Sequence, residues 1–151
     1  MKLEGDFGAI IYGNKIFNSY EINFKSPSEH TIGESNVSLP LEIQISSISE
    51  DNSRVNIAIL FSEDEEDSSF LYTLGFGKGL LQHLRPSQFL EFKGVFSLKE
   101  VKNNKRINFN FFKIMPEENK FFIYQGTMTA TPCSSAVWLI AYNTFRVIKH
   151  F

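Results

Sequence analysis

Between Val55 and Phe61 the chain is almost unbroken hydrocarbon: Val55-Asn56-Ile57-Ala58-Ile59-Leu60-Phe61. A short run of this kind has the length of a strand. With apolar residues on both alternating faces, it is satisfied only where both faces are covered. The rest of the chain supplies the neighbours such a strand needs. Phe7 to Tyr12 and Lys15 to Lys25 flank a Gly13-Asn14 turn pair and predict a hairpin. Near the end of its second arm, Ile22 and Phe24 alternate with Asn23 and Lys25, and Pro27 closes it. Leu41, Ile43 and Ile45 alternate with Glu42 and Gln44 in a further strand. More strands are expected over 89–98, 107–112, 121–127, 137–142 and 145–148, with a short helix over 79–84 closed by Pro86.

Composition narrows the class. At 151 residues the chain is one domain, 1–151, long enough to bury about 68–70% of its unfolded surface without disulfides or metals. Fifteen Lys and Arg against seventeen Asp and Glu give a net charge of −2, which excludes the basic face of a nucleic-acid binder. No apolar run approaches the ~20 residues of a membrane span. A single cysteine, Cys133, rules out an internal disulfide or a cysteine-based zinc site. No apolar signal core follows Met1 and Lys2, so the expected setting is intracellular rather than secreted. The acidic stretch Ser62 to Ser69 reads as a solvated loop, with Ser68 or Ser69 capping a helix; a cation or basic-partner site is the other reading.

Three segments carry a more specific signal: Ile22-Asn23-Phe24-Lys25-Ser26-Pro27-Ser28-Glu29-His30-Thr31-Ile32, Leu41-Glu42-Ile43-Gln44-Ile45, and Tyr124-Gln125-Gly126-Thr127-Met128-Thr129-Ala130-Thr131-Pro132. In order and character they resemble the α-class carbonic anhydrases. Those enzymes carry a His-x-His strand leading into Ser-Glu-His-Thr, a Glu-x-His strand, and later Gly-Ser-Leu-Thr-Thr-Pro-Pro. Phe112 to Glu117 resembles the stretch before that last motif. The resemblance implies a β-rich α+β domain with a central twisted, mostly antiparallel sheet and few short helices. It also implies an N-terminally truncated version of that fold, because the family's first segment has no counterpart here.

The same resemblance locates the chemistry. In the family three histidines hold zinc and leave a fourth position for water; the metal lowers that water's pKa to about 7 and so makes the hydroxide that attacks carbon dioxide. The matching positions here are Asn23, Lys25 and Gln44. Neutral amides are poor zinc ligands, and an ammonium puts positive charge where the cation would sit. The resemblance assigns Glu29 and Thr129 to the pair that orients the hydroxide in active relatives, and Glu42 to the carboxylate behind the third histidine. His30 matches a structural histidine. Without zinc, Lys25, Glu29 and Glu42 are expected to form a polar cluster, with Gln44 donating its amide to Glu42. Ala130-Thr131-Pro132 departs from the family's Thr-Pro-Pro. Cys133 matches a cysteine that is disulfide-bonded in secreted relatives, and here is expected to be a small buried thiol.

The implied protein is a pseudoenzyme without catalytic residues, metal or cofactor. It would serve as a structural or interaction subunit of a larger protein assembly, of the ciliary or mitochondrial kind, with self-association as a further option and no nucleic acid or membrane span. Two alternatives stand beside it. One is a small-molecule or anion-binding module using the old pocket at Lys25. The other is a residual hydratase or esterase built on Thr129 and Glu29.

Overall fold

The computed structural model describes residues 2–32, 37–64, 97–99, 106–108, 121–141 and 145–148. Its main body is an eight-stranded twisted sheet. Strands β1 (Lys2–Glu4) and β2 (Ala9–Tyr12) both pair with the long β3 (Lys15–Lys25). β4 (Thr31–Ile32) and β5 (Val37–Ser38) form a separate two-stranded ladder. β6 (Leu41–Ile48) lies antiparallel between β3 and β7 (Arg54–Asp64). β8 (Ser97–Lys99) and β9 (Arg106–Asn108) pair with each other. β10 (Phe121–Thr127) and β11 (Ser135–Ala141) form a hairpin whose second strand runs parallel to β7, and β12 (Phe145–Ile148) also runs parallel to β7, further along it. The sheet is mixed, with antiparallel pairs in the majority.

β7 takes the place that its apolar run requires. Val55 to Phe61 are buried, with β6 along one edge and β11 and β12 along the other. The hairpin turn also follows the sequence. Gly13 and Asn14 both have positive φ, 55° and 63°, the pairing that lets a two-residue turn match the twist of its strands. The described residues contain no helix, and none is long and apolar enough to cross a membrane. The helix expected over 79–84 lies outside the described residues, as do residues 65–69 of the acidic segment; Ser62–Asp64 belong to β7.

One feature of β3 decides which side chains reach the site. The pairing with β6 slips between Ser19 and Glu21, a bulge that inserts one residue and reverses the phase of the strand beyond it. Phe17 and Ser19 are buried before the slip, Ile22 and Phe24 after it. The reversal keeps Phe17, Ile22 and Phe24 in one cluster with Leu41, Ile43, Ile45, Val55, Ile57, Ile59 and Phe61. Each such side chain withdrawn from water is worth about 1.5–3 kcal/mol. It also presents Glu21, Asn23 and Lys25 together on the opposite face.

Candidate functional site

That opposite face carries a polar stripe. Across β3 and β6, Asn23 lies opposite Gln44 and Lys25 opposite Glu42; across β6 and β7, Ser46 lies opposite Asn56. Residues directly opposite in a ladder share a face, so two side chains of β3 and two of β6 converge, as the i, i+2 spacing in each strand anticipates.

Glu42 is the anchor. It is fully buried, and all the hydrogen bonds it needs are supplied locally. Its Oε2 accepts from the backbone N–H of Glu29 at 2.8 Å and of His30 at 2.9 Å. Its Oε1 lies 2.6 Å from His30 Nδ1 and accepts from Gln44 Nε2 at 2.9 Å. The segment that delivers those backbone donors is pinned over the start of β6. Ser28 N donates to Leu39 O at 2.8 Å, Leu39 N donates to Ser28 Oγ at 2.8 Å, and that hydroxyl donates to His30 O at 2.6 Å. Burial opposes ionisation of Glu42, but the bonds from His30 and Gln44 outweigh it and hold the carboxyl below the usual glutamate range.

An ionised Glu42 can only accept, which places the proton of the imidazole on Nδ1. Nε2 is then 2.8 Å from the Tyr124 hydroxyl. Burial, and after it the charge of Glu42, push the Tyr124 phenol up. The His30 ring meets Trp138 edge to face at 4.9 Å, and Trp138 and Tyr124 lie nearly parallel. Trp138 Nε1 donates to Thr127 O at 2.9 Å. Gly126 is required here: a Cβ on it would stand 2.7 Å from a Tyr124 ring carbon and 3.1 Å from Trp138 Cδ1. His30 is thus held between Glu42, Tyr124 and Trp138.

The outer part of the stripe is wetter. Lys25 Nζ donates to Glu29 Oε1 at 2.9 Å, with side chains 33% and 37% exposed. Gln44 Nε2 also donates to Glu29 Oε2 at 2.9 Å, and Thr129 hydrogen-bonds the same carboxylate. Burial raises the Glu29 pKa; Lys25, Gln44 and Thr129 more than offset it, and the carboxyl sits below its ordinary value. Asn23 Nδ2 donates to Glu21 Oε1 at 2.5 Å, and Glu21 is in turn held by Lys2 at 2.7 Å.

Two expectations change. Lys25 compensates Glu29 alone; the buried Glu42 is compensated by His30, Gln44 and two backbone amides, so the expected single cluster is two clusters joined through Gln44. Cys133 is exposed, not buried. It occupies a tight turn, with φ of 55° and its N–H on Ala130 O at 2.9 Å, and that backbone turn holds it at the surface. Three contributors were not singled out from the sequence. Tyr124 and Trp138 complete the His30 environment. Asn56 is a buried polar residue whose signal was visible: it alone interrupts the apolar run.

Chemically, the stripe offers an ammonium, amides and hydrogen-bonded carboxylates. Among the described residues, no three His, Cys, Asp or Glu side chains are grouped to hold a metal ion.

The twisted mixed sheet that carries this stripe is the fold of solved carbonic anhydrases, which match the chain with TM-scores of 0.67, 0.69 and 0.72. The family model for eukaryotic-type carbonic anhydrase matches residues 15–150, and the chain belongs to that family. Among solved structures it is similar to a hyperthermostable carbonic anhydrase from an active hydrothermal vent chimney (22% identity, TM-score 0.67, covering 98% of this chain and 58% of that one). It is similar also to the α-carbonic anhydrase of Thermovibrio ammonificans, solved with sulfanilamide (17%, 0.69, 98% and 57%). The carbonic anhydrase of Aspergillus oryzae shows the same likeness (12%, 0.72, 98% and 57%). The chain thus spans less than two thirds of these relatives. Comparison with curated proteins gives no match.

Proposed function

We propose that this chain is a catalytically silent member of the carbonic anhydrase family, acting as a structural or interaction subunit of a larger intracellular protein assembly. The observation that carries the reading is the donor set at the three positions matched to the family's zinc ligands, Asn23, Lys25 and Gln44. Asn23 and Lys25 are two apart on β3 and Gln44 faces Asn23 from β6, the two-strand arrangement a three-ligand site needs. None offers imidazole or thiolate, the nitrogen and sulfur donors zinc prefers. Each is also committed elsewhere: Asn23 to Glu21, Lys25 to Glu29, and Gln44 to Glu29 and Glu42. Zinc does not fit this set, and no step of a reaction is routed through it.

The residual-enzyme alternative has little support. Among the described residues the candidate base beside Thr129 is Glu29, and a carboxyl held below its ordinary pKa is a weak one. The anion-binding alternative rests on a partly exposed Lys25, whose charge is already opposed by Glu29. The interaction reading is favoured by large apolar side chains in contact with solvent. Ile11 and Ile16 face each other near the hairpin tip at 77% and 61% exposure, and Phe122 and Ile123 are exposed on β10.

The test is the native size of the protein in extracts of its source, with co-purifying proteins identified by mass spectrometry. Migration in a large complex of defined partners is expected; migration as a free chain would refute the subunit role.

A further inference from the structure

Asn56 stands in the middle of β7, fully buried, with Ser46 opposite it on β6, Trp138 opposite it on β11, and Gln44 diagonal to it. Its Nδ2 donates to the Met128 sulfur at 3.2 Å. Its Oδ1 is sealed from solvent and has no donor among the described residues. Turning the amide over does not satisfy the oxygen, which would then face a thioether with no proton to give.

The neighbours are spoken for. The Gln44 amide is committed to Glu29 and Glu42, and the Trp138 indole N–H to Thr127 O. Buried carbonyl oxygens in folded proteins nearly always find a donor, in the protein or in a bound molecule. The surroundings are suited to one, since the Ser46 hydroxyl is the cross-strand neighbour and can accept or donate in a bridge.

We propose that the floor of the stripe beside Gln44 contains a small polar subsite for a compact neutral O–H donor, water or a short alcohol, that donates to Asn56 Oδ1 and is shared with Ser46. A polar guest at this point is the opposite of what the surrounding apolar run would select. The subsite stands apart from the question of catalysis, so its failure and that of the silent-enzyme reading are separate results.

The experiment is water–protein cross-relaxation by NMR on the intact chain, followed by titration with methanol. Long-lived water contacts are expected at the Asn56 carboxamide and the Trp138 indole, lost in Asn56→Leu and weakened in Ser46→Ala. Should Asn56→Leu fail to fold, Ser46→Ala and the wild-type contacts decide the matter. Saturable methanol shifts that remove the water contacts identify a site open to solutes; water contacts indifferent to methanol identify a hydration site. Absence of water contacts and of saturable methanol shifts in the wild type, or contacts that survive both substitutions, would overturn the subsite.

Discussion

Two glutamates sit within one hydrogen-bonded stripe and experience different physics. Glu42 is sealed from water and receives four donors. Glu29 is more than a third exposed and has Lys25, Gln44 and Thr129 around it. Both are held below the ordinary glutamate pKa. The difference is in what depends on them. Glu42 fixes the register of a buried segment, because it ties the backbone of Glu29 and His30 to β6. Glu29 joins side chains that water would otherwise solvate. A charge among fixed backbone donors is architecture, whereas a charge beside a flexible ammonium contributes little to stability.

Removing Glu42 should therefore have the largest effect. Glu42→Ala strands two backbone amides, an imidazole N–H and a carboxamide, and is expected to cost about 3–5 kcal/mol in denaturant melts. A loss below about 1 kcal/mol would place the two glutamates on an equal footing. Next comes pH. A carboxyl whose pKa is lower folded than unfolded stabilises the fold above the unfolded value and loses that contribution as pH falls through the folded one. Stability should therefore be level near neutrality and decline below roughly pH 4.3, the ordinary glutamate value. In urea melts across pH, Glu42→Gln should flatten the decline more than Glu29→Gln does.

Gly126→Ala drives a methyl into the Tyr124 ring and is expected to cost about 1–3 kcal/mol. It should also shift the Trp138 fluorescence, since the two rings pack together. Tyr124→Phe removes one hydrogen bond from His30 and should cost about 1 kcal/mol. Lys25→Met is the smallest change. Solvent screens the pair it breaks, and the loss should not exceed about 1 kcal/mol, falling further with added salt. A gain in stability would mean that Lys25 is not compensating Glu29.

Much of this was legible in the chain. The run at Val55–Phe61 gave the central strand, Gly13-Asn14 gave the hairpin turn, and the strands expected over Phe121–Thr127 and Phe145–Ile148 have those bounds. Alternation put Asn23 with Lys25 on one strand and Glu42 with Gln44 on another; that Gln44 joins the first pair was implied by the family resemblance, and the register of β3 on β6 places Gln44 opposite Asn23. What escaped has a physical reason in each case. The bulge at Ser19–Glu21 leaves no mark in an alternating pattern, although it sets which half of β3 faces the site. The parallel pairing of β11 and β12 with β7 depends on chain tracing between distant strands. Division of the charges into two clusters depends on backbone donors, and these look the same in every sequence. Cys133 was misjudged because its residue type favours burial, whereas its turn places it outside.

The most direct test is the zinc content of the purified chain after expression in excess zinc. A variant carrying Asn23→His, Lys25→His and Gln44→His, handled alongside, serves as the standard. The account predicts no stoichiometric zinc in the natural chain, with metal gained when imidazoles are restored. One zinc per natural chain, accompanied by carbon dioxide hydration, would contradict it.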